Sequence, residues 1–344
     1  MATSWLEIDP ESDFSLDNLP FGIAATPISR SFPHTVVAIG SFVLDLHELF
    51  YASTYAKSSG SRINEIFPCL INEKKMVFGV PYLNFFAQLG REAHREVRAG
   101  LQALLRIDTP YPDVLRDNTE LRDVVVFPQS AVRMHRPMKI GDYTDFYAGY
   151  HHAYAVGKMF RGAANALQPN YHHLPVGYHG RASTVISSPS IRRPVGQILL
   201  DKEPEPRQPV VAPTRKLDFE LELGCFITKI SQMPGRIDIS NAEKYIFGYV
   251  LLNDWSARDI QTWEYVPLGP FNGKNFATTV SPWVVLADAL EPFRCKGIPN
   301  PTPLQGYLRE KREDNVFDIK LEVDLTSKFT HPGSHSRVLA GQIC

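Results

Sequence analysis

The chain has 344 residues, 44% apolar and 21% charged, with 36 basic against 37 acidic side chains and a formal net charge of −1. That length can bury a large core and suits two domains. A balance this even, with no long single-sign run, argues against a nucleic-acid or membrane-surface binder, since both need a concentrated basic patch. Cys69, Cys225, Cys295 and Cys344 form no CxxC pair, which disfavours a zinc ribbon and fits reduced thiols. No apolar run reaches spanning length. Residues 1–14 include Glu7, Asp9, Glu11 and Asp13 and lack the basic start and apolar core of a secretory leader, so a cytoplasmic location is expected.

In chain order, residues 35–40 and 41–46 read as two short strands about a glycine turn. Residues 83–105 place Leu83, Phe86, Leu89, Ala93, Val97, Leu101 and Leu104 at helical spacing, with Arg91, Glu92, Arg95 and Glu96 on the other side. This predicts one amphipathic surface helix packed on a small β unit. Prolines and charges cluster between Pro112 and Pro137, and a boundary there divides the chain into 1–135 and 136–344. Beyond it the chain is strand-like. Residues 249–252 read as a short buried strand, and residues 317–325 alternate cleanly as a longer one. Ser256 with Asp259 resembles a capping box and predicts a short helix over 256–264. There is no internal repeat or low-complexity tract.

Residues 217–223 are the most informative run. Leu217, Phe219, Leu221 and Leu223 fall on one side of an extended chain, and Asp218, Glu220 and Glu222 fall on the other. Same-face neighbours in a strand lie about 6.5–7 Å apart. Like charges that close repel unless a positive group intervenes, and carboxylate oxygens suit a hard cation such as calcium or magnesium. Taken alone, the run reads as a solvated strand face. Three other segments concentrate chemistry: 141–152, with Asp145, Tyr147, His151 and His152; 174–181, with Tyr178; and 253–279, with Asp254, Arg258, Gln261, Tyr265, Lys274 and Thr278. Asp254 ends an apolar strand, where side chains commonly enter a site. Either His151 or His152 could serve as a base near neutral pH. Residues 269–274 imitate a phosphate loop, but there is one residue too few between the glycines and Asn275 replaces the required hydroxyl residue.

These segments, in this order, together with 18–22 (Asn-Leu-Pro-Phe-Gly), resemble the fumarylacetoacetate hydrolase family. The resemblance runs from about Asp13 to Leu325 and is dense between Lys139 and Val285. It implies a mainly β, α+β fold: a small N-terminal SH3-like barrel followed by a mixed β-sandwich roll, assembled as a homodimer. It implies hydrolysis of the carbon–carbon bond of fumarylacetoacetate to fumarate and acetoacetate, the last step of tyrosine and phenylalanine catabolism. It further implies a Mg2+ or Ca2+ site built from Asp145, Glu220, Glu222 and Asp254, supported by Lys274 and Thr278. His152 matches the family's general base. Arg258 and Lys274 would stabilise charge, and Tyr147, Arg161, Tyr178, Gln261 and Tyr265 match substrate-binding positions. Arginine and phenol donors suit a substrate with a carboxylate at each end.

The chain also departs from the family. The resemblance implies a further C-terminal stretch with a substrate-binding threonine and a glutamate that orients the histidine, whereas residues 327–344 no longer look like the family. The expectation is a roll whose closing strands are missing, with 317–325 left as an unpaired apolar edge. The alternative function is then an inactive truncated form that binds metal or dimerises without turnover. Ala277 stands where the family usually has glycine.

Overall fold

A computed structural model describes residues 3–55, 59–70, 77–200, 205–228, 235–326 and 336–343. The predicted strand pair is present: His34–Ile39 and Phe42–Asp45 pair antiparallel about Gly40, whose φ of 55° is left-handed and suits glycine. Together with Phe21–Ala25, Val126–Pro128 and Arg133–His135 they form one side of a ten-stranded sheet. The other side is built from Trp283–Leu286, Ile246–Asp254, Thr278–Val280, Val185–Ile186 and Leu221–Ile227.

One strand joins the two sides. Trp283–Leu286 pairs with Phe21–Ala25 through Phe21↔Val284 and with Ile246–Asp254 through Gly248↔Leu286. The first 135 residues and the later ones therefore share a sheet and one apolar core, from Leu16, Phe21 and Leu101 to Phe247, Val280 and Leu286. The strands on either side of Gly248 pack so closely that a Cβ there would press on the Val285 carbonyl oxygen. Gly248→Ala is expected to cost about 1–3 kcal/mol, read from the urea midpoint at unchanged slope.

The predicted single helix over 83–105 is two helices, Asn84–Gln88 and Arg91–Leu105, broken at Gly90, whose φ is 88°. Apolar periodicity continues across the break because both pieces cover the same core. Arg91 and Arg95, expected on a solvent face, instead reach Asp288 at 3.0 and 2.7 Å, and Arg91 also reaches Glu291 at 2.6 Å. The helix thus ties the N-terminal stretch to the later one electrostatically as well as by packing.

Two further expectations are corrected. The helix predicted over 256–264 spans Arg258–Glu264, because Ser256 belongs to a two-residue strand paired with Leu217–Asp218. Asp259 does not cap it; its carboxylate accepts from Thr214 Oγ1 and the Arg215 backbone N–H. The strand predicted over 317–325 is two strands. Val316–Phe317 pairs with Arg294–Cys295, and Ile319–Leu325 pairs with Ser336–Ile343. The expected unpaired edge is thus covered along 319–325 by the chain's own C-terminal segment, while residues 327–335 and 344 lie outside the described residues. Among the described residues no helix is long and apolar enough to cross a membrane.

Candidate active site

The acidic run is split by the pairing around it. Leu217–Asp218 and Leu221–Ile227 are separate strands, yet from Leu217↔Ala257 to Phe226↔Gly248 both keep one register, which shifts only at Ile227. At the break, opposite Asp254 and Trp255, the Asp254 N–H donates to the Glu220 carbonyl at 3.0 Å and Asn253 Oδ1 accepts from the Glu220 N–H. Glu220 and Glu222 are therefore brought beside Asp254, the last residue of the longest strand in the sheet. Asp218 lies outside that group and accepts from Arg258 Nε at 2.9 Å.

Asp145 arrives from a third segment. It lies on Thr144–Phe146, paired with Gly177–His179 so that Asp145 faces Tyr178 across the ladder. Carboxylate oxygens of Asp145, Glu222 and Asp254 lie within 4.8 Å of one another. Glu220 sits beside this trio, held by cations: one oxygen accepts from Lys274 Nζ and the other from Arg258 Nη2 at 2.7 Å. Lys274 Nζ also donates to Asp254 Oδ2 at 2.6 Å, and Thr278 Oγ1 donates to Asp254 Oδ1 at 3.1 Å. Both Asp254 oxygens are thus fixed, and the carboxylate is 1% exposed. The glycine-lysine segment that imitated a phosphate loop serves to deliver this lysine.

The electrostatics divide these acids. Burial would raise Glu220, but His152, Lys274 and Arg258 hold it well below the usual carboxylate range. Burial, reinforced by Asp145, Asp254 and Glu220, pushes Glu222 up to about 8. Asp254 is pushed up to about 6, chiefly by burial, against the pull of Lys274. Asp145 is raised by burial and the Glu220 charge. Negative charge therefore exceeds what Lys274 and Arg258 neutralise, which is the condition a divalent cation relieves. Among the described residues the buried Tyr143 hydroxyl has no hydrogen-bond partner, and its phenol is raised by burial and by the Asp254, Asp145 and Glu222 charges. An oxygen-only donor set beside an unsatisfied hydroxyl fits a hydrated hard cation.

The two histidines separate here. His152, in the first turn of Tyr150–Arg161, brings Nε2 to 3.7 Å from Glu220 Oε1 and meets the Tyr147 ring edge-on at 5.6 Å. His151 packs against Tyr150 instead. Among the predicted substrate residues, Tyr178 stacks on Phe271 at 5.6 Å, and Gln261 accepts from Arg258 Nη1 at 3.0 Å. Arg161 ends its helix with Nη2 donating to the Ala166 carbonyl at 2.7 Å, and Tyr265 is exposed just beyond Glu264. Sequence reasoning missed Tyr143, Asn253 and the pairing of Asp218 with Arg258. Tyr143 lies two residues before Asp145 on the same strand side, and that spacing was the available signal.

Three segments fold carboxylates, one lysine and one arginine around a single point, a donor set whose oxygens could hold a hard cation. Comparisons with known proteins show the family. Residues 17–137 match the family profile described as Fumarylacetoacetase N-terminal, and residues 143–331 match Fumarylacetoacetate (FAA) hydrolase C-terminal. The chain belongs to the fumarylacetoacetase family. It is 53% identical over 341 residues to fumarylacetoacetase fahA of Aspergillus fumigatus, covering 98% of this chain and 76% of that protein. It is 52% identical over 340 residues to the fumarylacetoacetase of Emericella nidulans, covering 97% and 76%. It is 45% identical over 327 residues to that of Homo sapiens, covering 94% and 72%.

Proposed function

We propose that this chain hydrolyses fumarylacetoacetate to fumarate and acetoacetate at the Asp145–Glu222–Asp254 centre. The observation that carries this reading is the convergence of those three carboxylates from separate segments in a chain of this family. Asp145, Glu222 and Asp254 would hold Mg2+ or Ca2+, with Glu220 as the proposed fourth carboxylate. Lys274 and Thr278 keep Asp254 in place. A bound cation supplies Lewis acidity toward the oxygens of the β-diketone.

The chain's own groups do the rest. His152 takes a proton from the attacking water, and the Glu220 carboxylate beside it stabilises the imidazolium that results. Water adds to a ketone carbon, and the tetrahedral centre expels an enolate carbon that is reprotonated as acetoacetate. Lys274 and Arg258 present fixed positive charge where negative charge develops, and Gln261 is positioned by Arg258 to donate through its amide nitrogen. Tyr147, Arg161, Tyr178 and Tyr265 are proposed to bind the substrate's ends. His152→Ala is expected to keep Mg2+-induced thermal stabilisation while losing about 100-fold or more in kcat. An active His152→Ala enzyme would remove His152 from the base role.

Residues 1–135 are proposed to form the SH3-like unit and 136–344 the catalytic roll. We further propose a homodimer, supported by large apolar side chains open to solvent: Met159, Val211, Val266 and Leu268 are 76, 74, 72 and 74% exposed. Sedimentation at micromolar concentration tests it, and a monomer there would refute it.

A further inference from the structure

A second titratable cluster lies outside this centre. His34 opens the strand His34–Ile39, and Asp45 closes its neighbour, Phe42–Asp45. His47 and Glu48 follow in the first turn of the helix Leu46–Tyr55. Asp45 is fully buried and has two jobs: Oδ1 accepts from the Glu48 N–H at 3.1 Å, fixing the start of the helix, and Oδ2 lies 3.4 Å from His34 Nδ1. The strand pair and the helix cap therefore set the relative positions of His34, His47 and Glu48. The two imidazoles lie 4.2 Å apart between ring centres, and Glu48 Oε1 is 3.9 Å from His34 Nδ1.

We propose that His34, His47 and Glu48 form a second metal site, for zinc, with Asp45 orienting His34. One nitrogen of each imidazole and one Glu48 oxygen lie within 4.8 Å of one another. Around a zinc ion with bonds of about 2.0–2.1 Å, ligand atoms stand about 3.3 Å apart. The half-buried His47 and Glu48 can close that gap by side-chain rotation, while His34 is held at 7% side-chain exposure. Among the described residues no hydrogen bond satisfies the His47 imidazole, which leaves its lone pair for a ligand. Asp45 and Glu48 contribute two negative charges to a pocket whose histidines ligate when neutral, and a dication balances them. Two nitrogens with one carboxylate oxygen select zinc over magnesium or calcium, the reverse of the oxygen-only centre. The cluster opens on a cleft of about 410 Å³ bordered by Arg30, Phe32 and Tyr51, which gives room for water as the remaining ligand.

The test is equilibrium dialysis of the full chain against Zn2+ in excess Mg2+, with Co2+ substitution read by its visible spectrum. One Zn2+ per chain is expected, with nitrogen ligation in the cobalt spectrum. His47→Ala and the size-matched His47→Gln should weaken Zn2+ by about 100-fold or more, leave the Mg2+-loaded hydrolase rate unchanged, and keep the wild-type circular dichroism. Glu222→Gln should retain the zinc. The proposal is overturned if wild type takes up no Zn2+ under these conditions, or if either His47 variant binds it as tightly as wild type.

Discussion

Glu222→Gln is expected to stabilise the metal-free protein and to abolish its response to Mg2+ or Ca2+. The carboxyl is pushed up to about 8 by burial and by Asp145, Asp254 and Glu220. A group raised in the folded state favours folding below its unfolded pKa, and that contribution is lost as pH rises through the folded value. In chelator, wild type should therefore lose stability between about pH 5 and 8, as Asp254 and, last of all, Glu222 are forced to ionise beside the other carboxylates. Glutamine keeps the shape and removes the charge. Its advantage over wild type should grow across that window to on the order of a few kcal/mol at pH 8. With metal present the order reverses, because wild type gains binding energy that the amide cannot supply. Wild-type metal affinity should itself weaken by about tenfold per pH unit below pH 8, as Glu222 takes up a proton. Thermal unfolding of both proteins at pH 5 and 8, with chelator and with Mg2+, reads all of this. A glutamine variant less stable than wild type in chelator at pH 8 would show that the cluster is not electrostatically strained.

Lys274→Met should act in the opposite direction. Its ammonium bridges Glu220 and Asp254 in a buried position. Removing one partner of a buried pair leaves uncompensated charge and costs about 3–5 kcal/mol. The loss should deepen as pH rises, since Asp254 and Glu222 then ionise without their nearest cation. Turnover should fall with it, since Lys274 is proposed to face the charge that develops on the substrate. The two variants thus move metal-free stability in opposite senses while both lose activity, a combination that a purely structural role for this cluster does not produce. A Lys274→Met protein as stable as wild type in chelator would contradict the ion-pair geometry.

How much of this was legible in the sequence depends on the range of the interaction. The hairpin about Gly40 is local, and glycine's access to positive φ marked it. The helix break at Gly90 was hidden because apolar spacing on both sides answers to the same core. Ser256 was misread as a cap because its backbone pairs with Leu217–Asp218, a partner about forty residues away whose pairing no local pattern reveals. The strand over 319–325 was legible as a strand but not its pairing with 336–343, since a strand's pattern does not name its neighbour. In the site, the acidic alternation pointed to Glu220 and Glu222, but alternation places Asp218 with them, whereas Asp218 meets the site only through Arg258, which it shares with Glu220. Asp254 was marked by its place at the end of an apolar strand, but its role as a ligand, like Asp145, Lys274 and Thr278, came from resemblance, because their convergence depends on sheet topology. His34 and His47 carried no signal at all, being thirteen residues apart and joined only through a strand pair and a helix start.

The most direct test of the central claim is hydrolysis of fumarylacetoacetate by the purified chain, followed by loss of substrate absorbance. The protein would first be stripped of metal with chelator, and Mg2+ or Ca2+ would then be returned. Turnover that disappears on stripping and returns with the cation is the predicted result. Undiminished turnover in the stripped protein, or none from a folded protein that binds the cation, would contradict it.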